Sequence, residues 1–146
     1  MIEFRPITEA DLPLLESWLE RAHVALWWRE PIEQELDQGV AGRYLIVVDA
    51  VPAGMIQTYL EDDPTIAGVD LLIGEEDAIG RGLGPQVISQ FTQEVVFARP
   101  ETNAVVATVE EANRRSWRAF EKAGFRYVRD VEEEGLPHRL MRLDRS

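Results

Sequence analysis

Between positions 80 and 84 the chain reads Gly80-Arg81-Gly82-Leu83-Gly84 and runs straight into Pro85-Gln86-Val87-Ile88. Three glycines in five residues leave a turn with little side-chain bulk, and a proline directly behind them suits the first turn of a helix. Such a turn presents bare main-chain N–H groups at the positive end of a helix, an arrangement that fits a phosphate or diphosphate. An ordinary flexible loop has the same composition, so from this stretch alone both readings stand. Two common phosphate loops are excluded. A nucleoside-triphosphatase loop needs a Lys and a Ser or Thr after its last glycine, where Pro85 and Gln86 stand, and a dinucleotide fingerprint needs a glycine at Val87.

A chain of 146 residues with 45% apolar composition suits one domain over residues 1–146 with a packed core. Zero cysteines exclude a disulfide framework, a thiolate metal site and a cysteine nucleophile. With His23 and His138 as the two histidines, no metal cofactor is expected. No apolar run is long enough to span a bilayer, and Met1-Ile2-Glu3-Phe4-Arg5 lacks the features of a secretion signal, so a cytoplasmic location without a membrane partner is expected. The formal net charge of −12, from 27 acidic and 15 basic residues, repels nucleic acid and attracts polycations. The same excess also serves plain solubility.

Periodicity assigns a strand to Ile2–Arg5 and a helix from Thr8, where Thr8 and Asp11 can satisfy N–H groups at the helix start and Leu12, Leu15, Trp18, Leu19 and Ala22 face inward. A short helix is expected from Pro31 toward Gln38, ended by Gly39 and Gly42. Tyr44–Val48 and Gly54–Tyr59 read as an antiparallel hairpin around a turn at Asp49–Pro52, and Val69–Ile73 as a further strand. A helix from Pro85 to about Ala98, a strand at Val105–Val109, a helix over Arg114–Ala123 capped by Asn113 and stopped by Gly124, and a closing hairpin of Phe125–Val131 and Arg139–Leu143 complete an α+β pattern.

The run Asn113-Arg114-Arg115-Ser116-Trp117-Arg118-Ala119-Phe120-Glu121-Lys122-Ala123-Gly124-Phe125 resembles the helix that flanks coenzyme A in the GNAT-type N-acetyltransferases. It follows the glycine loop by about thirty residues, and the pair is far more specific than either half. The resemblance implies a GNAT fold, a mixed central sheet with splayed parallel strands and flanking helices, and acetyl-CoA as co-substrate without a metal. It places the diphosphate on Ile79, Gly80, Arg81, Gly82, Leu83, Gly84 and Pro85, and further coenzyme contacts at Asn113, Ser116, Phe120 and Lys122. The acyl carbonyl would be polarised by main-chain N–H groups around Ile73 and Gly74.

Trp18-Leu19-Glu20-Arg21-Ala22-His23, Trp27-Trp28, Gln57-Thr58-Tyr59, Asp63-Pro64, Gly68-Val69-Asp70 and Phe120–Phe125 are similar in order and spacing to the aminoglycoside 6'-N-acetyltransferases. That branch implies a polycationic amine substrate, with Asp70 binding or deprotonating the amine. Tyr59, Asp62, Asp63 and Glu110 would supply further contacts, His23 a polar one, and one of Trp27 and Trp28 a stacking face while the other packs in the core.

This chain departs from the family pattern at three places. Ile79 replaces a Gln or Arg, so Arg81 is the charge left for the phosphates. Phe120 stands where the family has a Tyr proposed to protonate the departing thiolate, and a phenyl ring has no proton to give. Departure without assistance, water, or Ser116 are the remaining routes. Thr108 stands near where an Asp is expected, with Glu110 or Glu111 as substitutes. Three other activities fit the same frame: a siderophore-type N-acyltransferase acting on lysine side chains, a protein N-acetyltransferase, and a non-catalytic acyl-CoA-binding module.

Overall fold

Seven strands build one mixed sheet in the computed structural model, which describes residues 1–28, 42–75 and 82–146. They are β1 (Ile2–Pro6), β2 (Gly42–Val48), β3 (Val51–Leu60), β4 (Ile66–Ile73), β5 (Ala104–Glu110), β6 (Arg126–Glu133) and β7 (Leu136–Asp144). Their order across the sheet is β1-β2-β3-β4-β5-β7-β6. The helices among the described residues are α1 (Leu12–Leu19), α2 (Ala22–Ala25), α3 (Leu83–Phe91) and α4 (Arg114–Lys122). The helix expected from Pro31 to Gln38 lies outside the described residues. Two compact units divide the chain: one holds Met1–Tyr59 and the stretch that begins at Asp70, the other Leu60–Val69 and Gly82–Ser146.

In the first unit, β1 pairs antiparallel with β2, and β2 with β3, across a tight turn at Asp49 and Ala50, which have φ of 49° and 69°. The turn is shorter than expected, since Pro52 already pairs with Val47 within the strands. At the start of the helical segment the Asp11 carboxylate accepts the Thr8 N–H at 3.0 Å and an Arg5 N–H at 3.2 Å. Burial pushes the Asp11 carboxyl up, but the Thr8 N–H and the Arg5 guanidinium outweigh it and hold the group below the ordinary range. Leu15 and Trp18 of α1 are fully buried in a cluster with Val24, Leu45, Val47, Met55 and Leu72. Each such buried side chain contributes roughly 1.5–3 kcal/mol. Ala22, expected on the buried stripe of α1, is instead exposed and opens α2, because the helix breaks after Leu19.

In the second unit, α3 buries Leu83, Val87, Ile88 and Phe91 and passes into a single π turn at Thr92–Val96, so the helical path expected to about Ala98 runs to Val96 with a change of pitch after Phe91. Phe97 N–H bonds the Thr92 carbonyl at 2.9 Å, one residue wider than an α-helix allows. The sheet continues through antiparallel pairing of β5 with β7 and of β7 with β6.

The end of α4 accounts for the run Phe120–Phe125. Gly124 takes φ of 100°, its N–H bonds the Glu121 carbonyl at 3.0 Å, and Phe125 N–H bonds the Phe120 carbonyl at 3.0 Å. That double return is a Schellman motif, and its hydrophobic contact is the edge-to-face pair Phe120–Phe125, with ring centroids 5.1 Å apart. At the other end Asn113 makes no side-chain cap, contrary to expectation. Its main-chain carbonyl accepts Ser116 N–H at 3.1 Å and Trp117 N–H at 3.3 Å.

Candidate active site

β4 is the strand on which the expected chemistry depends. Its parallel ladder with β5 runs through three register pairs, Ile66↔Ala104, Ala67↔Val105 and Gly68↔Val106, although the strands have eight and seven residues. Asp70 lies just past the last pair, half-buried, and Gln57 of β3 reaches it with Nε2 at 3.5 Å from Oδ2, the long end of the hydrogen-bond range. Arg43 of β2 donates from Nε to Gln57 Oε1 at 3.0 Å. The orientation of the Gln57 amide follows from chemistry: arginine has only donors, so the oxygen must face Arg43 and the NH2 must face the carboxylate. Arg43 and Gln57 are 8% and 4% exposed, so this chain of polar groups is anchored in the interior.

Further along β4, Gly74 N–H bonds the Ala53 carbonyl of β3 at 2.8 Å. Gly74 is therefore not available as a donor to an acyl carbonyl, which corrects the expectation for that residue. The Ile73 N–H belongs to the preceding peptide plane, which joins Leu72 to Ile73 at the end of β4. His23, expected to touch substrate, has its Nε2 3.0 Å from the Ile73 carbonyl. A carbonyl only accepts, so this nitrogen carries the proton.

The glycine turn enters the described residues at Gly82, which has φ of 73° and precedes α3. Ile79, Gly80 and Arg81 lie outside them. The helix begins at Leu83, two residues before Pro85, and the first-turn N–H groups of Leu83 and Gly84 have no carbonyl partner within their own helix. The Leu83 side chain is buried, so main chain is what this residue can offer a phosphate. Gly84 has a second role: a Cβ there would approach the Ala119 Cβ of α4 to 3.3 Å, so the glycine lets the two helices close together.

On α4, Asn113 and Ser116 are half-buried and Lys122 is exposed. Phe120 is 2% exposed and its ring packs edge to face on Phe125. Of the aromatic pair, Trp28 packs against the core cluster of the first unit and Trp27 is half-buried, as is Tyr59.

Asp62 and Asp63 are exposed in the β3–β4 loop, but the Asp63 Oδ1 accepts both the Thr65 N–H at 3.0 Å and the Thr65 hydroxyl at 2.7 Å. These bonds hold the Asp63 carboxyl below its usual range and give it a turn-forming role. Its neighbour Glu61 is pushed up, by partial burial and then by Asp62 and Glu133. A cation placed beside Glu61 would relieve that repulsion. Glu110, half-buried at the end of β5, pairs in register with His138 of β7. Among the described residues no group of three or more His, Cys, Asp and Glu side chains could hold a metal ion, and no helix is long and apolar enough to cross a membrane.

Sequence reasoning did not single out Trp18, Arg21, Arg43, Gln57 or Glu75 as site residues. Gln57, a polar and buried residue directly after the apolar run Ala53–Ile56, carried a signal; the others are joined to the site only by tertiary contacts.

A mixed sheet whose parallel pair stops after three register positions, with a glycine turn opening a helix, is the frame expected of an acyl-transfer domain. The chain belongs to the GNAT acetyltransferase family, whose acetyltransferase (GNAT) domain model matches residues 8–133. Among its relatives is an aminoglycoside N(6')-acetyltransferase type 1 of Klebsiella pneumoniae, 28% identical over 85% of this chain and 73% of that protein. A lysine N-acyltransferase of Mycobacterium tuberculosis is 23% identical over 81% of this chain and 65% of the relative. The fold superposes on a crystal structure of aminoglycoside acetyltransferase AAC(6')-Ib with coenzyme A and kanamycin, with a TM-score of 0.90 and 27% identity, covering 99% of this chain and 95% of the other.

Proposed function

We propose that this chain is an acetyl-CoA-dependent N-acetyltransferase that modifies the 6'-amine of an aminoglycoside. The observation that carries the reading is the superposition over 99% of the chain on an aminoglycoside acetyltransferase solved with coenzyme A and kanamycin. The net charge of −12 and the carboxylates Asp70, Asp62 and Glu61 suit a polycation.

The main-chain N–H groups at Gly82–Gly84 fit a diphosphate, with Asn113, Ser116 and Lys122 as further coenzyme contacts. When bound, the co-substrate supplies an acetyl group activated as a thioester. Asp70, oriented by Gln57, binds the ammonium form of the amine and takes its proton directly or through water. The amine nitrogen then bonds to the carbonyl carbon and gives up its second proton to solvent, the carbon–sulfur bond breaks, and the thiolate takes a proton from solvent. The Ile73 N–H is the donor that meets the developing oxyanion. The compartment this reading requires is the cytoplasm, where thioester donors circulate.

A thiol-release assay with acetyl-CoA across kanamycin, ribostamycin, lysine, linear polyamines and basic peptides tests the proposal. Turnover is expected with the aminoglycosides, and Asp70→Asn should lower it by about 10²-fold or more while coenzyme A affinity stays unchanged. Turnover confined to lysine would favour the second reading, a lysine-directed acyltransferase, to which the mycobacterial relative points. Binding of the coenzyme without turnover of any amine would leave a binding module.

A further inference from the structure

We propose that Arg21 and His23 are positioning residues for acyl transfer, fixing the end of β4 so that the Ile73 N–H keeps its aim. The inference rests on the transferase reading above. Two successive peptide planes are held at both poles. The plane joining Ile73 to Gly74 has its carbonyl 3.0 Å from His23 Nε2 and its N–H bonded to the Ala53 carbonyl at 2.8 Å. The plane joining Gly74 to Glu75 has its carbonyl bonded by Arg21 Nη1 at 2.8 Å and its N–H bonded to the same Ala53 carbonyl at 3.1 Å. Arg21 is in turn fixed by Glu75, 3.2 Å away, and the other Glu75 oxygen accepts the Trp18 indole N–H at 2.7 Å. Gly74 completes the clamp, because a Cβ there would fall inside the Trp18 ring.

The clamp sits where β4 has run past its ladder with β5, and a strand end with few neighbours opens easily. The peptide plane immediately before the two pinned ones carries the Ile73 N–H, so its direction follows theirs. Stability alone does not account for the network: the Arg21 and Glu75 side chains are 39% and 37% exposed, and ion pairs at such positions add little. Its geometric effect is larger, since a displaced oxyanion donor lowers the rate of acyl transfer steeply.

The test compares wild type with Arg21→Met and His23→Leu for kcat, KM for acetyl-CoA, coenzyme A affinity by calorimetry, and melting temperature. Both variants should lose about tenfold or more in kcat. KM and coenzyme A affinity should stay within about threefold, as expected for an interaction that acts on the transition state. His23→Gln, which keeps a side-chain N–H able to reach a carbonyl, should recover part of the loss. If His23→Leu fails to fold, Arg21→Met, altered at a side chain that is 39% exposed, carries the same comparison. Unchanged kcat in folded variants of an active wild type would overturn the inference alone. A wild type that neither binds coenzyme A nor releases thiol would overturn the transferase reading and this inference with it.

Discussion

The C-terminal end of α4 and the C-terminal end of β4 are both places where a regular element runs out of its own hydrogen bonds, and they are closed by different means. At α4 the chain closes itself: Gly124 turns back, Phe125 N–H returns to Phe120, and the two phenyl rings pack edge to face. Everything needed lies within six residues, Phe120–Phe125. At β4 the main-chain carbonyls of Ile73 and Gly74 are held by the side chains of His23 and Arg21, and the Glu75 carboxylate by Trp18, partners that lie 50, 53 and 57 positions earlier. The first closure buries apolar surface and is a matter of stability. The second is polar and half-exposed, and it fixes direction more than it adds free energy.

That contrast can be broken by substitution. The largest effect is expected at the self-closing end, where Phe120→Ala removes a fully packed ring and should cost about 3–5 kcal/mol in denaturant unfolding. Gly74→Ala drives a methyl group into the Trp18 indole and should cost about 1–3 kcal/mol, with a lowered melting temperature. Gly124→Ala forces an L-residue into left-handed backbone and should cost roughly 1–2 kcal/mol while leaving kcat of the folded enzyme unchanged.

The smallest effect concerns pH. The Trp18 indole N–H holds the Glu75 carboxyl below its ordinary range, against an opposing push from partial burial and with help from Arg21. A depressed carboxyl contributes stability above its unfolded pKa and loses it as pH falls through the folded value. Melting temperatures of wild type and Glu75→Gln should therefore differ by a constant small amount above about pH 4.3 and converge in more acid solution. A gap that widens on acidification would show that Glu75 is not the acceptor in the clamp.

The same distinction explains which parts were legible from residues alone. The hairpins, the order of the strands, the apolar stripe of α3 and the stop at Gly124 depend on patterns a few residues long, and all could be read. Asn113 was misread as a side-chain cap because the type of residue that caps a helix does not reveal that its carbonyl does the work. For His23 and Phe120 a resemblance transfers positions, not environments. In this chain one side chain is bonded to β4 and the other is core. Gly84 looked like part of a phosphate loop, and its contact with Ala119, 35 positions on, appears only once α3 and α4 are packed. Asp70 was singled out correctly as lying on β4, but the Arg43–Gln57 support behind it spans three strands and leaves no local mark.

Calorimetric titration of the purified chain with coenzyme A tests the central claim most directly. Saturable binding with one molecule per chain is the predicted result. No binding heat, in protein shown to be folded by its melting transition, would contradict the account.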